Sequence, residues 1–300
     1  MPHHHHHVVS NHNRSFAIGV ALNTLFVIIE ASYGFAAQSL ALIADAGHNL
    51  SDVITLLLAW GASYLATKRP TENQTYGLRK ATVLASLLSA ALLLVALGGI
   101  AWEAIGRLFT PQPVVGKVII VVAAIGVVIN TLTALLFAAG QKHDINIRSA
   151  YLHMAADAGI SLGVVIAGVA ILLTGWLWLD PLISLLIVLV ILIGAWRLFK
   201  DSIKLSVDVV PPGIDIAAIK EYLTGLDSVS SIHDLHIWAL STSETALTVH
   251  LVTTNDLIDN AFLRQVQVYL HDTYDIEHAT IQLENNNNEV NCTLDRPECL

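Results

Sequence analysis

The sequence predicts a two-part fold: an α-helical polytopic membrane domain of six transmembrane helices, then a C-terminal cytosolic α/β domain ordered α-β-β-α-β. Two observations carry the first half. Of 300 residues, 54% are hydrophobic and only 13% charged, a composition that excludes an ordinary soluble core. The apolar residues also fall into six long runs, each able to cross about 30 Å of hydrocarbon at about 1.5 Å per residue. The third observation is a change of charge. From residue 205 onward fifteen acidic side chains face only Lys220, Arg264 and Arg296, while residues 1–204 carry twelve basic and nine acidic ones. A membrane domain followed by an acidic soluble domain accounts for this split. An acidic domain argues against nucleic acid and favours cations.

The six runs are Ser15–Ala37, Leu40–Ala66, Ala81–Phe109, Val115–Ala139, Ala150–Leu173 and Trp178–Phe199. Arg14, Lys68, Arg69, Arg79, Lys80, Lys142, Arg148, Arg197, Lys200 and Lys204 fall on one side of them, Arg107 and Lys117 on the other. The excess of positive charge places both termini and the acidic domain in the cytosol. In a bacterium the membrane is the plasma (inner) membrane. No basic n-region leads into a short apolar core, so no cleavable signal sequence is expected. His3 to His7 are either a native metal-collecting tail or the remnant of a purification tag. The organisation expected is a His-rich tail at 1–14, the membrane domain at 15–204, the cytosolic domain at 205–284 and a flexible polar tail with Cys292 and Cys299 at 285–300. Those two cysteines imply no disulfide framework.

Charge inside a span is costly and marks a pathway or its partner groups. The second run contains Ala44-Asp45-Ala46-Gly47-His48-Asn49-Leu50-Ser51-Asp52, and the fifth contains His153-Met154-Ala155-Ala156-Asp157. Each holds a His-x-x-x-Asp pair, which sets both side chains one turn apart on one helical face. Facing one another, His48, Asp52, His153 and Asp157 offer two imidazoles and two carboxylates, a tetrahedral set suited to zinc. A packing role explains one such pair; it explains two poorly. Asp45 shares the face of His48 and Asp52 and is expected to support the ligands or line an entry funnel. Asn23 and Glu30 share a face of the first span and are expected to line a cavity or bond another helix. Asn130 is expected to bond between helices, Glu103 and Arg107 to pair locally, and Gly61, Gly98, Gly99, Gly126, Gly163 and Gly168 to allow close helix approach.

Pro211-Pro212-Gly213 reads as a linker. Beyond it, Ile214–Leu226 and Leu257–Tyr274 have helical periodicity, and Val229–Leu240, Ala246–Thr253 and Ala279–Leu283 are strand-like. The order suggests an open sheet with helices on one face. Alternation along Ile232-His233-Asp234-Leu235-His236-Ile237-Trp238 sends His233 and His236 to opposite faces. On the last strand His278 and Glu284 share a face. With His250 from the neighbouring strand they are placed to converge on a metal; solvated histidines in an acidic domain are the other reading.

The residues resemble the cation diffusion facilitator family, in particular its zinc-transporting branch. The resemblance rests on the two intramembrane stretches quoted above, on Tyr76-Gly77-Leu78-Arg79, on Arg148-Ser149-Ala150-Tyr151-Leu152 leading into His153, on His233-Asp234-Leu235-His236-Ile237-Trp238, and on Ala279-Thr280-Ile281-Gln282-Leu283-Glu284. It implies a metallochaperone-like cytosolic domain and a homodimer that exports divalent metal, most simply Zn2+, in exchange for protons. It implies a transport site of His48, Asp52, His153 and Asp157, and cytosolic ligands His233, His250 and Glu284, with Zn2+ there as a regulatory ligand. Glu277 stands where relatives often have histidine, so His278 or Glu277 is a further candidate. The segment Gly140–Ile147 carries only His143, which leaves metal capture to His3 to His7.

The chemistry fits that implication. Imidazole and carboxylate must shed protons to bind metal, so proton and zinc compete for one site. No Walker-type GxxxxGK[ST] and no HExxH occurs, which leaves neither nucleotide hydrolysis nor an intramembrane metalloprotease as a reading, and no enzyme is expected. A membrane-anchored metal sensor without transport is the alternative, as is the same antiporter acting on cobalt, nickel, cadmium, iron or manganese. Finally, Asp208 is expected to pair with Arg79 or Lys80 at the cytosolic surface, as a hinge between the two parts.

Overall fold

The computed structural model describes residues 12–138, 145–254 and 260–285. His3 to His7, His143, Cys292 and Cys299 lie outside them, as does the side chain of Asn23. Six long helices come first: α1 His12–Ala36, α2 Leu40–Ala66, α3 Ala81–Phe109, α4 Gly116–Ala138, α5 Ile145–Thr174 and α6 Leu179–Ser206. Five of these, α2 to α6, contain stretches long and apolar enough to cross a membrane; α1 has 25 residues and is apolar over Thr24–Ala36. Their outer faces stay apolar where no protein covers them: Val95 is 75% and Trp102 81% exposed, as lipid-facing residues must be. The expected runs and the helices agree closely, the main difference being that α5 starts earlier and α6 ends later.

Two compact units emerge, Met1–Leu57 with Ser89–Arg197, and Leu58–Leu88 with Leu198–Leu300. In the first, one core draws on all six helices through Phe26, Leu42, Leu97, Ile119, Val164 and Ile187. The start of α2 is fixed by a group far along the chain. Asp180, in the first turn of α6, accepts from Leu40 N at 2.8 Å and from the Ser39 hydroxyl. Its carboxylate thereby satisfies amides that have no partner within the helix, at the end where negative charge is favoured. Glu103 and Arg107 form the expected local pair at 2.9 Å, and Arg107 also donates to Gln38 O at 2.6 Å.

Close helix approach is narrower than expected. A Cβ on Gly126 would meet Phe26 at 2.7 Å and one on Gly168 would meet Ile120 at 2.9 Å, so these two positions do need glycine. Among the described residues nothing lies within 4 Å of such a Cβ at Gly61, Gly98, Gly99 or Gly163, so these four do not bring helices of one chain together there. Asn130 departs from expectation too: it is fully buried, yet among the described residues neither side-chain polar atom has a hydrogen-bond partner. Small residues, rather than an amide bridge, set the spacing of α4.

In the second unit, α7 Ile216–Thr224, β1 Val229–Ala239, β2 Thr245–Thr253, α8 Asn260–Tyr274 and β3 Ile276–Asn285 follow in the expected order. Asp215 caps α7 by accepting from Ala217 N at 2.9 Å and Ala218 N at 3.2 Å. The sheet order is β1-β2-β3, with β1 and β2 antiparallel and β2 and β3 parallel. Parallel strands need a crossover, which α8 supplies. Both helices pack on one face, where Ile219, Leu223, Val266 and Leu270 meet Ile237, Leu247, Val249 and Leu251. The other face is left to alternate residues such as His233 and His250.

One strand departs from simple alternation. The register pairs His233 with His250 but His236 with Thr248, so three residues of β1 match two of β2. Asp234 takes the extra place at φ 51°, a left-handed conformation that aspartate tolerates better than most residues. His233 and His236 therefore share a face, contrary to the alternation expected from sequence.

Candidate metal centres

Helices α2 and α5 run antiparallel and bring the four candidate membrane ligands together. His48 Nε2 lies 3.3 Å from Asp157 Oδ1 and 3.8 Å from Asp52 Oδ2, and His153 Nε2 lies 3.0 Å from Asp52 Oδ2 and 3.7 Å from Asp157 Oδ2. Metal–ligand bonds of about 2.0–2.1 Å at tetrahedral angles place ligand atoms about 3.3–3.4 Å apart. The four contacts bracket that edge length. One ligand atom from each residue lies within 4.8 Å of every other. The two rings meet edge to face at 5.8 Å. Among the described residues, Asp157 Oδ2 and His48 Nδ1 are buried without a hydrogen-bond partner, so the quartet is not exhausted by its own internal bonds.

Asp45 does something other than expected. It is fully buried, so it lines no opening here, and it accepts from Ser161 Oγ at 2.9 Å rather than holding an imidazole. Glu30 fulfils one of its two alternatives, accepting from Asn49 Nδ2 of the neighbouring α2 at 3.4 Å.

The second group is built across three strands. Pairing of His233 with His250, and of His250 with Gln282 and Val252 with Glu284 beyond it, sets the three side chains on one face. His233 Nε2 is 3.0 Å from Glu284 Oε2 and His250 Nδ1 is 2.9 Å from Glu284 Oε1. Burial acts to raise the Glu284 carboxyl; hydrogen bonds from His233 and Gln282 and the charges of both imidazoles outweigh it and hold the group below its ordinary value. His278 does not join this group. It precedes Glu284 by six residues, about 20 Å along a strand, and packs its ring on Tyr76 at 5.4 Å instead. Glu277 faces His271, with its Oε1 3.5 Å from Nε2. Sequence reasoning missed Asp234, which reaches His236 Nε2 at 2.9 Å and His250 Nε2 at 3.6 Å. Its bulge is the reason, and only its place between two histidines hinted at it.

The three charges expected at one surface do pair, but not all with one another. Lys80 Nζ bonds Asp208, which sits at φ 61° just past α6, while Arg79 pairs with Glu244 at 3.2 Å.

Apolar helices enclosing a His/Asp quartet, together with a separate α/β domain bearing a His/Glu trio, define an integral, multi-pass membrane protein equipped to hold metal ions in both parts. Residues 16–205 match the cation efflux transmembrane domain and residues 211–286 the cation efflux protein cytoplasmic domain. The chain belongs to the cation efflux family, the cation diffusion facilitators. It is 38% identical over 271 residues to the zinc transporter ZitB of Escherichia coli, covering 90% of this chain and 86% of that protein. Over 296 residues it is 35% identical to the cadmium, cobalt and zinc/H(+)-K(+) antiporter of Bacillus subtilis, covering 94% and 95%. The metal-bound C-terminal domain of the CzcD transporter from Cupriavidus metallidurans is similar at 37% identity, covering 24% of this chain and 99% of that domain, with a TM-score of 0.22.

Proposed function

We propose that the chain exports Zn2+ from the cytosol in exchange for protons, with His48, Asp52, His153 and Asp157 as the transport site. The observation that carries this reading is the quartet itself: four metal-binding side chains, at tetrahedral spacing, from two apolar helices. A ligand set of this kind in hydrocarbon has no use in an anchor. The quartet is also open along one edge. Asp52 and His153 side chains are 35% and 43% exposed, while Asp157 is 1%. That edge lies towards the C-terminal end of α2, where Lys68 and Arg69 mark the cytosolic side.

Zinc entering there displaces protons from imidazole and carboxylate, and protons from the opposite side displace zinc when the site opens to it. The relatives named as zinc transporters and as a metal/proton antiporter support substrate and coupling. His233, His250 and Glu284, helped by Asp234, form a cytosolic zinc site that relieves the acidic charge of the domain and draws two copies together as a homodimer. Lys80–Asp208 and Arg79–Glu244 tie the segment between α2 and α3 to the end of α6 and to the β1–β2 turn. They are the hinge through which the soluble domain acts on the helices. Purified protein in sealed vesicles tests this directly. A zinc gradient should drive proton movement in the opposite direction; zinc binding with no zinc or proton flux is the result a sensor would give.

A further inference from the structure

The quartet has an open edge towards the C-terminal end of α2 and a closed wall towards its start. Asp52 and His153 side chains are 35% and 43% exposed, whereas Ser39, Leu40, Leu42, Ala44 and Asp45 are each no more than 4% exposed. An ion at the quartet would find no exit along that first half of α2. Polar contacts hold the half in place. Residues 37–39, between α1 and α2, are tied to three other helices. Arg107, in the last turn of α3, donates from Nη1 to Gln38 O at 2.6 Å and is itself held by Glu103 at 2.9 Å. Val115 N, just before α4, donates to Ala37 O at 3.3 Å. Asp180, in the first turn of α6, accepts from the Ser39 hydroxyl, from Leu40 N at 2.8 Å and from Ala41 N at 3.4 Å. Ser39 Oγ in turn accepts from Leu42 N at 3.3 Å.

These bonds differ in kind from the apolar packing around them. Asp180 is 1% exposed and Ser39 0%, so the carboxylate stays out of water only because donors surround it. Two of those donors are amides in the first turn of α2, which have no partner within the helix. If α2 tilts away, all of these groups stand at the membrane surface opposite the cytosol, where water replaces the lost partners. The contact thus has two satisfied arrangements, bonded and hydrated, as a gate requires. Leu40 stands eight residues before His48 on the same helix, about 12 Å away, so a tilt at Asp180 moves a ligand of the quartet.

We propose that Asp180, with Ser39 and Arg107, is the outer latch of the transport pathway. It positions α2 with the quartet closed to the outside, and its release from the start of α2 opens that side. Asp180 touches no metal; it acts through α2. The release during transport rests on the transport reading, whereas the latch itself rests on the contacts.

Thiol labelling of the full-length, zinc-free protein in detergent tests the latch. Cys292 and Cys299 are replaced by Ser, and Ala44→Cys places a single thiol in the closed wall. A water-soluble maleimide should react with it slowly in that chain and many-fold faster once Asp180→Asn is added, with gel filtration showing an intact fold. Should Asp180→Asn fail that check, Ser39→Ala, which deletes one hydroxyl, makes the same comparison. Equal labelling rates with and without the added substitution overturn the latch. In vesicles, Asp180→Asn should lower the protons moved per zinc ion, because a loosened outer side lets zinc pass without exchange. A residue that only stabilises the fold would slow zinc and protons together; an unchanged ratio therefore overturns the gate. Absence of zinc transport by the wild type would sink the transport reading alone and leave the labelling result standing.

Discussion

The quartet in the membrane and the trio on the sheet use the same chemistry and are assembled in opposite ways. Each helix contributes two ligands four residues apart, so half of the quartet is already arranged before α2 meets α5. Each strand contributes one ligand, so the trio exists only once three strands have paired in register. Surroundings differ as well. Asp157 is 1% exposed, whereas the Glu284 and His233 side chains are 23% and 17% exposed in an acidic domain open to water. A misplaced charge at Asp157 has no solvent to turn to; at Glu284 it does. Substitution at Asp157 should therefore be tolerated far less than at Glu284.

The largest effect should come from the quartet. Asp157→Ala or Asp52→Ala is expected to cut zinc transport into vesicles by roughly 100-fold or more, since even residues that merely orient a ligand are worth about 10–100-fold in affinity. Transport by either variant near the wild-type rate would remove these residues from the site. His48→Asp keeps four donors but exchanges an imidazole for a third carboxylate. It should broaden the metal range towards larger, oxygen-preferring ions such as cadmium, read as relative rates across a metal panel.

Smaller changes are expected at the trio. Replacing His233 and His250 together by Ala should remove one zinc equivalent from the full-length protein in a binding titration while the quartet still binds. Asp234→Ala should weaken that same equivalent by about 10-fold, as loss of a supporting carboxylate does; an unchanged titration would show that the bulge has no part in it.

Next comes the Lys80–Asp208 pair, whose side chains are 42% and 56% exposed. Asp208→Lys should cost no more than about 1 kcal/mol of stability yet slow transport several-fold, and Lys80→Asp in the same chain should restore part of the rate. Full activity of Asp208→Lys alone would leave no hinge to rescue.

The least effect belongs to His271. Its Nδ1 bonds Asp272 at 2.9 Å and Glu277 lies beyond, so the imidazole keeps its proton to higher pH than a free histidine. A raised value means that the small stabilisation is fully present below the unfolded pKa of about 6.5 and is lost as pH climbs through the folded one. Asp272→Asn should return the ring's titration, followed by NMR, towards that ordinary value.

What the sequence determined by itself follows from short-range periodicity. Spans could be read because hydrocarbon demands an unbroken apolar helix, and the ligand pairs because four residues make nearly one turn of α2 or α5. The α-β-β-α-β order was readable for the same reason. Tertiary structure alone decided three other matters. Ser161 meets Asp45, and Glu30 meets Asn49, across different helices, where no spacing rule applies. A single extra residue at Asp234 reversed the face of His236, because strand periodicity of two amplifies any slip into a change of side. Register also left His278 six residues from Glu284 on the same face and outside the trio. Alternation along a strand says which side a residue faces; it does not say how far along the sheet its partner stands.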